Sequence, residues 1–302
     1  MKRMEHANGS RQAPGSATQP PREKRIPRAR ASAPKTEERP AIWTAYGKVL
    51  QRFRKRAGLT QEQLADRVGY SLEQTASVEQ GRRPAKAAFT TAAERVLDAG
   101  GVLEDLQEEV DFAKLPAFFR DFVLIEMDAV SRFSSDPLLV PGLLQTPEYA
   151  AALCEGQFPP LEDEEVEHTV DARISRQKIF TKTPLVDFSF VIGEAALRNQ
   201  VGSPETMRAQ LRQLLAHTKR RNIEVQVMPT VYGIHPGLEG PMVLVETAEH
   251  QQFGYFESQG VGSVVSDPTQ VSIFRHRYGK LRSLALHVAE SAAFIERLAG
   301  EQ

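Results

Sequence analysis

Residues Leu59 to Pro84 read LTQEQLADRVGYSLEQTASVEQGRRP, and no other stretch constrains the fold as much. Thr60 is a good helix N-cap, and Gln63 follows at capping-box spacing. Leu64, Ala65 and Val68 recur at helical spacing and give this helix one apolar face. Gly69 ends it, because glycine takes the left-handed backbone of a helix C-terminus at little steric cost. Ser71 caps a second helix with Thr75 and Val78 inward and Leu72, Glu73, Gln74 and Ser77 outward. Gly81 stops it, and Arg82, Arg83 and Pro84 follow. Two short helices, a glycine turn and an exposed face on the second make a helix-turn-helix. The competing reading is an ordinary helical hairpin in a core.

The chain has 302 residues, enough for two or three domains. No run approaches the ~18 apolar residues of a membrane span. The basic N-terminus has no apolar stretch behind it and so does not read as a secretory signal. A single cysteine, Cys154, excludes an internal disulfide and makes a cytoplasmic, nucleoid-associated setting the expectation.

The net charge of −1 hides an asymmetry. Residues 1–39 carry ten Lys/Arg against four Asp/Glu, and residues 40–100 carry ten against six, so both are net basic. Residues 101–302 carry 18 against 29, a net of −11. Basic charge beside the helix-turn-helix suits phosphate binding, which releases condensed counterions. The acidic remainder is repelled by DNA and better placed to meet a protein or a small ligand.

Residues 1–40 are rich in Pro, Ser, Ala, Gln and Arg, and are predicted to be a disordered basic tail. It is read either as added DNA contact or as a solvated extension. Residues 41–113 form the DNA-binding domain, an all-α unit of about five helices. In its first helix Tyr46, Val49, Leu50, Phe53 and Ala57 are buried, while Arg52, Arg54, Lys55 and Arg56 are left to phosphates. Residues 115–302 form a mixed α/β domain. Helices are predicted over 116–127, 147–153, 162–180, 203–217, 267–284 and 288–298. Strands are predicted over 185–192, 223–227, 242–246, 253–256 and 261–265.

Helix, LTQEQLADRVG, a polar second helix ending in Glu79, then GRRP is similar to the repressor-type, XRE-like helix-turn-helix of phage and bacterial regulators. The departures are mild: Val78-Glu79-Gln80-Gly81 stands for the more usual Ile-Glu-x-Gly, and Thr75 takes a site often held by Val. Further on, PGLLQTPEY, RISRQ, GEAALRNQVGSPETMRAQLRQL, NIEVQVMP and HPGLEGPM follow in one order. That order resembles the domain of unknown function in the actinobacterial, WhiJ-like group of antitoxin-like developmental regulators. The resemblance implies a transcription regulator, often encoded beside a small acidic partner protein, and implies no activity for the second domain.

Aligned to the repressor pattern, Ser71, Leu72, Glu73, Gln74 and Ser77 are the expected DNA-facing residues of the second helix. Glu73 suits a cytosine amine, Gln74 an adenine and Leu72 a thymine methyl. Gln61, Arg82 and Arg83 are expected at phosphates. A homodimer on a two-fold double-stranded operator is the matching assembly.

Catalysis is not expected. Cys154 follows apolar AAL with no His or Asn at informative spacing, and reads as a packed thiol. The seven histidines form no metal-ligand pattern, and no cofactor is expected. For the second domain, Tyr149 in PGLLQTPEY and His235 in HPGLEGP are candidates for a pocket or docking face. The alternative is two structural turns. Arg173 and Arg176 either pair with the domain's own acidic excess or anchor an acidic partner. The acidic run Glu162 to Glu167 reads as a solvated helix start.

Overall fold

A computed structural model describes residues 40–115 and 117–301. The tail expected over 1–40 therefore lies outside the described residues, Pro40 excepted.

The helical region opens with α1 (Ala41–Arg56), α2 (Gln61–Val68) and α3 (Leu72–Glu79). It continues through α4 (Ala87–Leu97), α5 (Val102–Asp105) and α6 (Gln107–Phe112). Both expected caps form: Thr60 with Gln63, and Ser71 with Gln74, are reciprocal capping boxes. Gly69 takes the left-handed backbone, φ 77°, that ends α2. Tyr46, Leu50, Leu64, Val68, Val78, Phe89, Leu97 and Leu103 form one buried cluster. The helix expected over 102–113 is broken at Leu106 into α5 and α6.

The α/β region begins with α7 (Ala117–Met127). It then alternates β1 (Ala129–Asp136), α8 (Pro147–Glu155), α9 (Asp163–Ser175), β2 (Asp187–Gly193), α10 (Glu194–Arg198), α11 (Pro204–His217) and β3 (Ile223–Met228). A meander of β4 (Met242–Thr247), β5 (Gln252–Ser258) and β6 (Val261–Val265) leads to α12 (Pro268–Leu284) and α13 (Val288–Glu301). The strands make one six-stranded sheet in the order β3-β2-β1-β4-β5-β6. β1 pairs with β2 in parallel and with β4 antiparallel, so it joins the parallel half to the antiparallel half.

Five of these strands stand where the sequence places them. The sixth, β1, was not predicted, and it is central. Its residues, AVSRFSSD, lack the apolar alternation of a strand, yet Arg132, Ser134 and Ser135 are buried. Across the register Arg132 lies beside Phe188 and Val245, and Ser134 beside Phe190 and Val243. A polar stripe thus runs down the middle of an apolar sheet face. That face packs into the core with Phe122 of α7, Leu211 of α11 and Ile295 of α13. The opposite face is covered by α12, where Phe133 stacks on Tyr278 at 5.6 Å.

Candidate functional site

The surface that α3 offers is set by how α3 is held. Gly47 of α1 lies so close to its end that a Cβ there would stand 2.4 Å from the Glu79 carbonyl oxygen. Gly81, at φ 62°, approaches Thr44 just as tightly. With the two backbones in contact, the C-terminal half of α3 is inside the domain. Ser77 is consequently buried at 3% exposure, which corrects the expectation that it faces bases. The N-terminal turn is outside: Ser71, Leu72, Glu73 and Gln74 are exposed, and Leu72 is large and apolar. Ser71 and the Gln74 carbonyl are committed to the capping box, which leaves the Gln74 amide NH2 to meet a base.

Glu79 is buried, and Arg54 grips its carboxylate through Nε and, at 3.1 Å, through Nη2. Arg54 Nη1 donates to the Leu59 carbonyl at 2.7 Å, and Gln61 Nε2 donates to the second Glu79 oxygen at 2.5 Å. This corrects two expectations. Arg54 is inside the domain, unlike Arg52, Lys55 and Arg56, which are exposed. The Gln61 side chain holds Glu79, so a phosphate would meet the backbone N–H groups at the start of α2 rather than this amide.

Beyond α3, Arg82 is exposed. Arg83 pairs with Glu164 of α9 at 2.8 Å, and Lys86 pairs with Glu167. The acidic start of α9, expected to be solvated, therefore meets the basic loop of the helix-turn-helix. Trp43 lies edge-on to His168 at 6.1 Å, and its indole N–H donates to the Val110 carbonyl at 3.4 Å. Burial, with Lys114, Lys86 and Arg83 nearby, lowers His168 to about 4 despite the opposing pull of Glu167.

In the α/β region, Tyr149 is fully buried, and its hydroxyl accepts the Val140 N–H at 3.3 Å. This corrects its reading as a half-exposed contact residue: PGLLQTPEY is pinned from within. Gln210 accepts from Thr146 N–H and donates to the Leu144 carbonyl, at 2.8 and 2.7 Å. His235 accepts from Gly237 N–H at 3.2 Å and caps a short 3-10 turn, Pro236–Glu239.

Arg176 takes the internal alternative. Its Nη2 donates to buried Glu126 at 2.6 Å, which corrects its placement as a partner anchor. Arg132 Nε donates to the other Glu126 oxygen at 2.7 Å. Burial alone would raise Glu126, but Arg176 and Arg132 hold it below the usual carboxylate range. Arg173 donates through Nη1 to the Gln145 amide oxygen at 2.8 Å, and burial pushes its guanidinium below its ordinary value. Arg132, Arg173 and Arg176 all line a cavity of about 410 Å³ at the carboxyl end of β1, with Asp136 beside them. Ser134 donates to Asp136 at 2.7 Å, while burial raises Asp136 to about 6. Sequence reasoning missed Arg132, Asp136 and Glu126. For Arg132 and Asp136 the signal is the polar run itself, unusual between two apolar stretches, and for Glu126 it is a lone carboxylate in the apolar run FVLIEM.

Burial raises the Cys154 thiol, which is packed inside. Among the described residues no group of His, Cys, Asp or Glu is placed to hold a metal ion. Nor, among them, is any helix long and apolar enough to cross a membrane.

Comparison with known proteins gives two family matches. Residues 45–109 match a helix-turn-helix domain, and residues 119–297 match a domain of unknown function, DUF5753. No curated protein matches the chain. Among solved structures, the crystal structure of the clp gene regulator ClgR from Corynebacterium glutamicum matches at 21% identity. That match covers 29% of this chain and 93% of that one, with a TM-score of 0.21.

Proposed function

The chain belongs to the family defined by the domain of unknown function DUF5753, and from the helix-turn-helix domain ahead of it we propose that it is a sequence-specific DNA-binding transcriptional regulator. The observation that carries this reading is the exposed first turn of α3, presented on a helix whose far end is clamped. The protein is a cytoplasmic, nucleoid-associated repressor and acts by binding, not catalysis. As a homodimer it sets two α3 helices about 34 Å apart on a two-fold operator. Glu73 takes a cytosine amine, Leu72 a thymine methyl, and the Gln74 amide NH2 an acceptor on a base. Arg82 holds phosphate and fixes register, as does Arg83 once it leaves Glu164. The α/β domain supplies the input, a ligand or a partner.

Genome-wide pull-down of bound DNA, followed by gel shifts on the recovered motif, tests this. Glu73→Ala with Leu72→Ala should cut discrimination between operator and scrambled DNA by about 1–3 kcal/mol per lost contact. Arg82→Ala should weaken both DNAs alike. Discrimination that survives the double substitution sinks the assignment of α3.

One observation favours a second reading. The loop around the Pro236–Glu239 turn exposes Val231, Ile234 and Leu238, at 85%, 92% and 64%. Apolar groups gathered on one loop suit a protein partner. In this reading the protein is antitoxin-like: it neutralises a small acidic protein encoded nearby and binds DNA for autoregulation. Co-expression with that neighbour and with Ile234→Asp decides. The reading falls if no complex forms or if Ile234→Asp leaves the complex intact.

A further inference from the structure

Central strands are ordinarily apolar on both faces, because unpaired polar groups buried there cost several kcal/mol. β1 breaks that rule with Arg132, Ser134 and Asp136 on one face. Internal pairing covers most of this cost but not all of it. Glu126 serves both Arg132 and Arg176, and Ser134 serves Asp136. Arg132 is 5% exposed, yet its Nη1 has no hydrogen-bond partner among the described residues. Arg173 is bonded to the neutral amide of Gln145, and the carboxylate that acts on it is Glu257. Three guanidiniums thus face one buried carboxylate, Glu126, and a half-buried one, Asp136. Glu257, at the rim, is exposed to solvent.

The rest of the cavity is apolar, and part of it is uncovered. Leu138 and Leu139 on the loop after β1 are 63% and 46% exposed, and Phe256 is 43% exposed. A volume of about 410 Å³ falls in the range of small-molecule sites. The cavity also opens beyond the carboxyl end of a parallel strand pair, where α/β sheets bind their ligands.

We propose that this cavity is a binding site for a small monoanionic apolar molecule, a carboxylate with an aliphatic or aromatic body. The carboxylate takes the open hydrogen-bonding capacity of Arg132 and Arg173, whose planar forks suit it. The apolar body covers Leu138, Leu139 and Phe256. The signal then has a short route. Arg173 lies near one end of α9, and Glu164 and Glu167, which hold Arg83 and Lys86, lie near the other. Only this coupling step rests on the reading of the protein as a DNA-binding regulator.

The test uses the full chain and calorimetric titration with decanoate and 2-naphthoate, against decanamide and 2-naphthamide. At least one carboxylate should bind ten times or more tighter than its amide, and Arg173→Gln should abolish that preference. Leu139→Trp, on the exposed loop, should block binding without touching the charged cluster. Melting curves establish that each variant is folded; if Arg173→Gln is not, Arg173→Lys, which keeps the charge and loses the fork, takes its place. The proposal is overturned if neither carboxylate saturates the protein, if acid and amide bind alike, or if the Arg173 variant keeps the preference. Gel shifts on the same preparations separate the two readings. Carboxylate binding without selective DNA binding overturns only the regulator. Selective DNA binding without carboxylate preference overturns only the cavity.

Discussion

Each half of the molecule buries a glutamate against arginine, and the two clusters end differently. In the helical half, Glu79 takes Arg54 and Gln61, and the remaining Arg54 nitrogen finds a carbonyl. In the α/β half, Glu126 takes Arg132 and Arg176, but one Arg132 nitrogen is left over beside a cavity. A closed cluster of this kind ties three helices into a scaffold, and its geometry is its whole use. An open one holds hydrogen-bonding capacity in reserve at an energetic cost, and such reserves mark sites. The turn proposed to meet DNA accordingly lies outside the closed cluster, and the candidate ligand site lies inside the open one.

The comparison can be broken at several points, the largest effect first. Glu126→Leu strands two buried guanidiniums and should cost about 5 kcal/mol or more, whereas Glu79→Leu strands one and should cost about 3–5 kcal/mol. Chemical denaturation followed by circular dichroism measures both. Equal, small losses would show that neither cluster is as buried as described.

Asp136→Asn should act in the opposite sense. Asp136 sits at about 6 in the fold, above its ordinary 3.8, so the folded state holds its proton more tightly. Its effect is to lower stability as pH rises from about 4 to 6, and the penalty persists above that window. The asparagine should therefore stabilise the protein at pH 7.5 by about 1–3 kcal/mol. A variant melting no higher than the parent at pH 7.5 removes Asp136 from the open cluster.

His168 titrates in the reverse direction over the same range. Its folded value of about 4 lies below 6.5, so the stability it contributes is full above pH 6.5 and drains as pH falls towards 4. In the parent these two slopes oppose each other. Asp136→Asn should expose the His168 slope, and the fluorescence of Trp43, the single tryptophan, should change near pH 4, where His168 gains its proton in the fold. A flat signal in the variant would count against the packing of the two rings.

The smallest effect is Ser77→Ala. It should change stability by about 1 kcal/mol or less and leave operator discrimination alone, because Ser77 is buried within the domain. Gel shifts beside Glu73→Ala check this.

Local chemistry made the helical half legible. Thr60, Gly69 and Ser71 act within one turn of themselves, so their spacing in the sequence is their geometry. What stayed hidden depends on contacts far along the chain. Ser77 looks outward on an isolated helix and turns inward only because Gly47 lets α1 come close. Arg54 and Glu79 are 25 residues apart and read as two surface charges until they pair. β1 was invisible for a related reason. Hydrophobic alternation reports strands that bury apolar groups, and β1 buries charge instead. The cavity shared that concealment, since Arg132 and Asp136 belong to the strand that could not be seen. Arg173 and Arg176 stand out in the sequence, but their separate fates depend on which of them Glu126 reaches.

The contact between α9 and the loop after α3 has a consequence for ion traffic. Basic side chains that engage DNA phosphates displace condensed cations, and each one engaged steepens the fall of affinity with salt by about 0.9 in a logarithmic plot. For the loop after α3 to engage DNA as proposed, Arg83 and Lys86 must each first release a carboxylate, Glu164 or Glu167. The freed carboxylates gather cations of their own, offsetting part of the release. The salt slope of the intact chain should thus be shallower than its basic residues suggest. Glu164→Gln with Glu167→Gln should steepen it, turning a chord between two domains into a quantity read from a line on a graph.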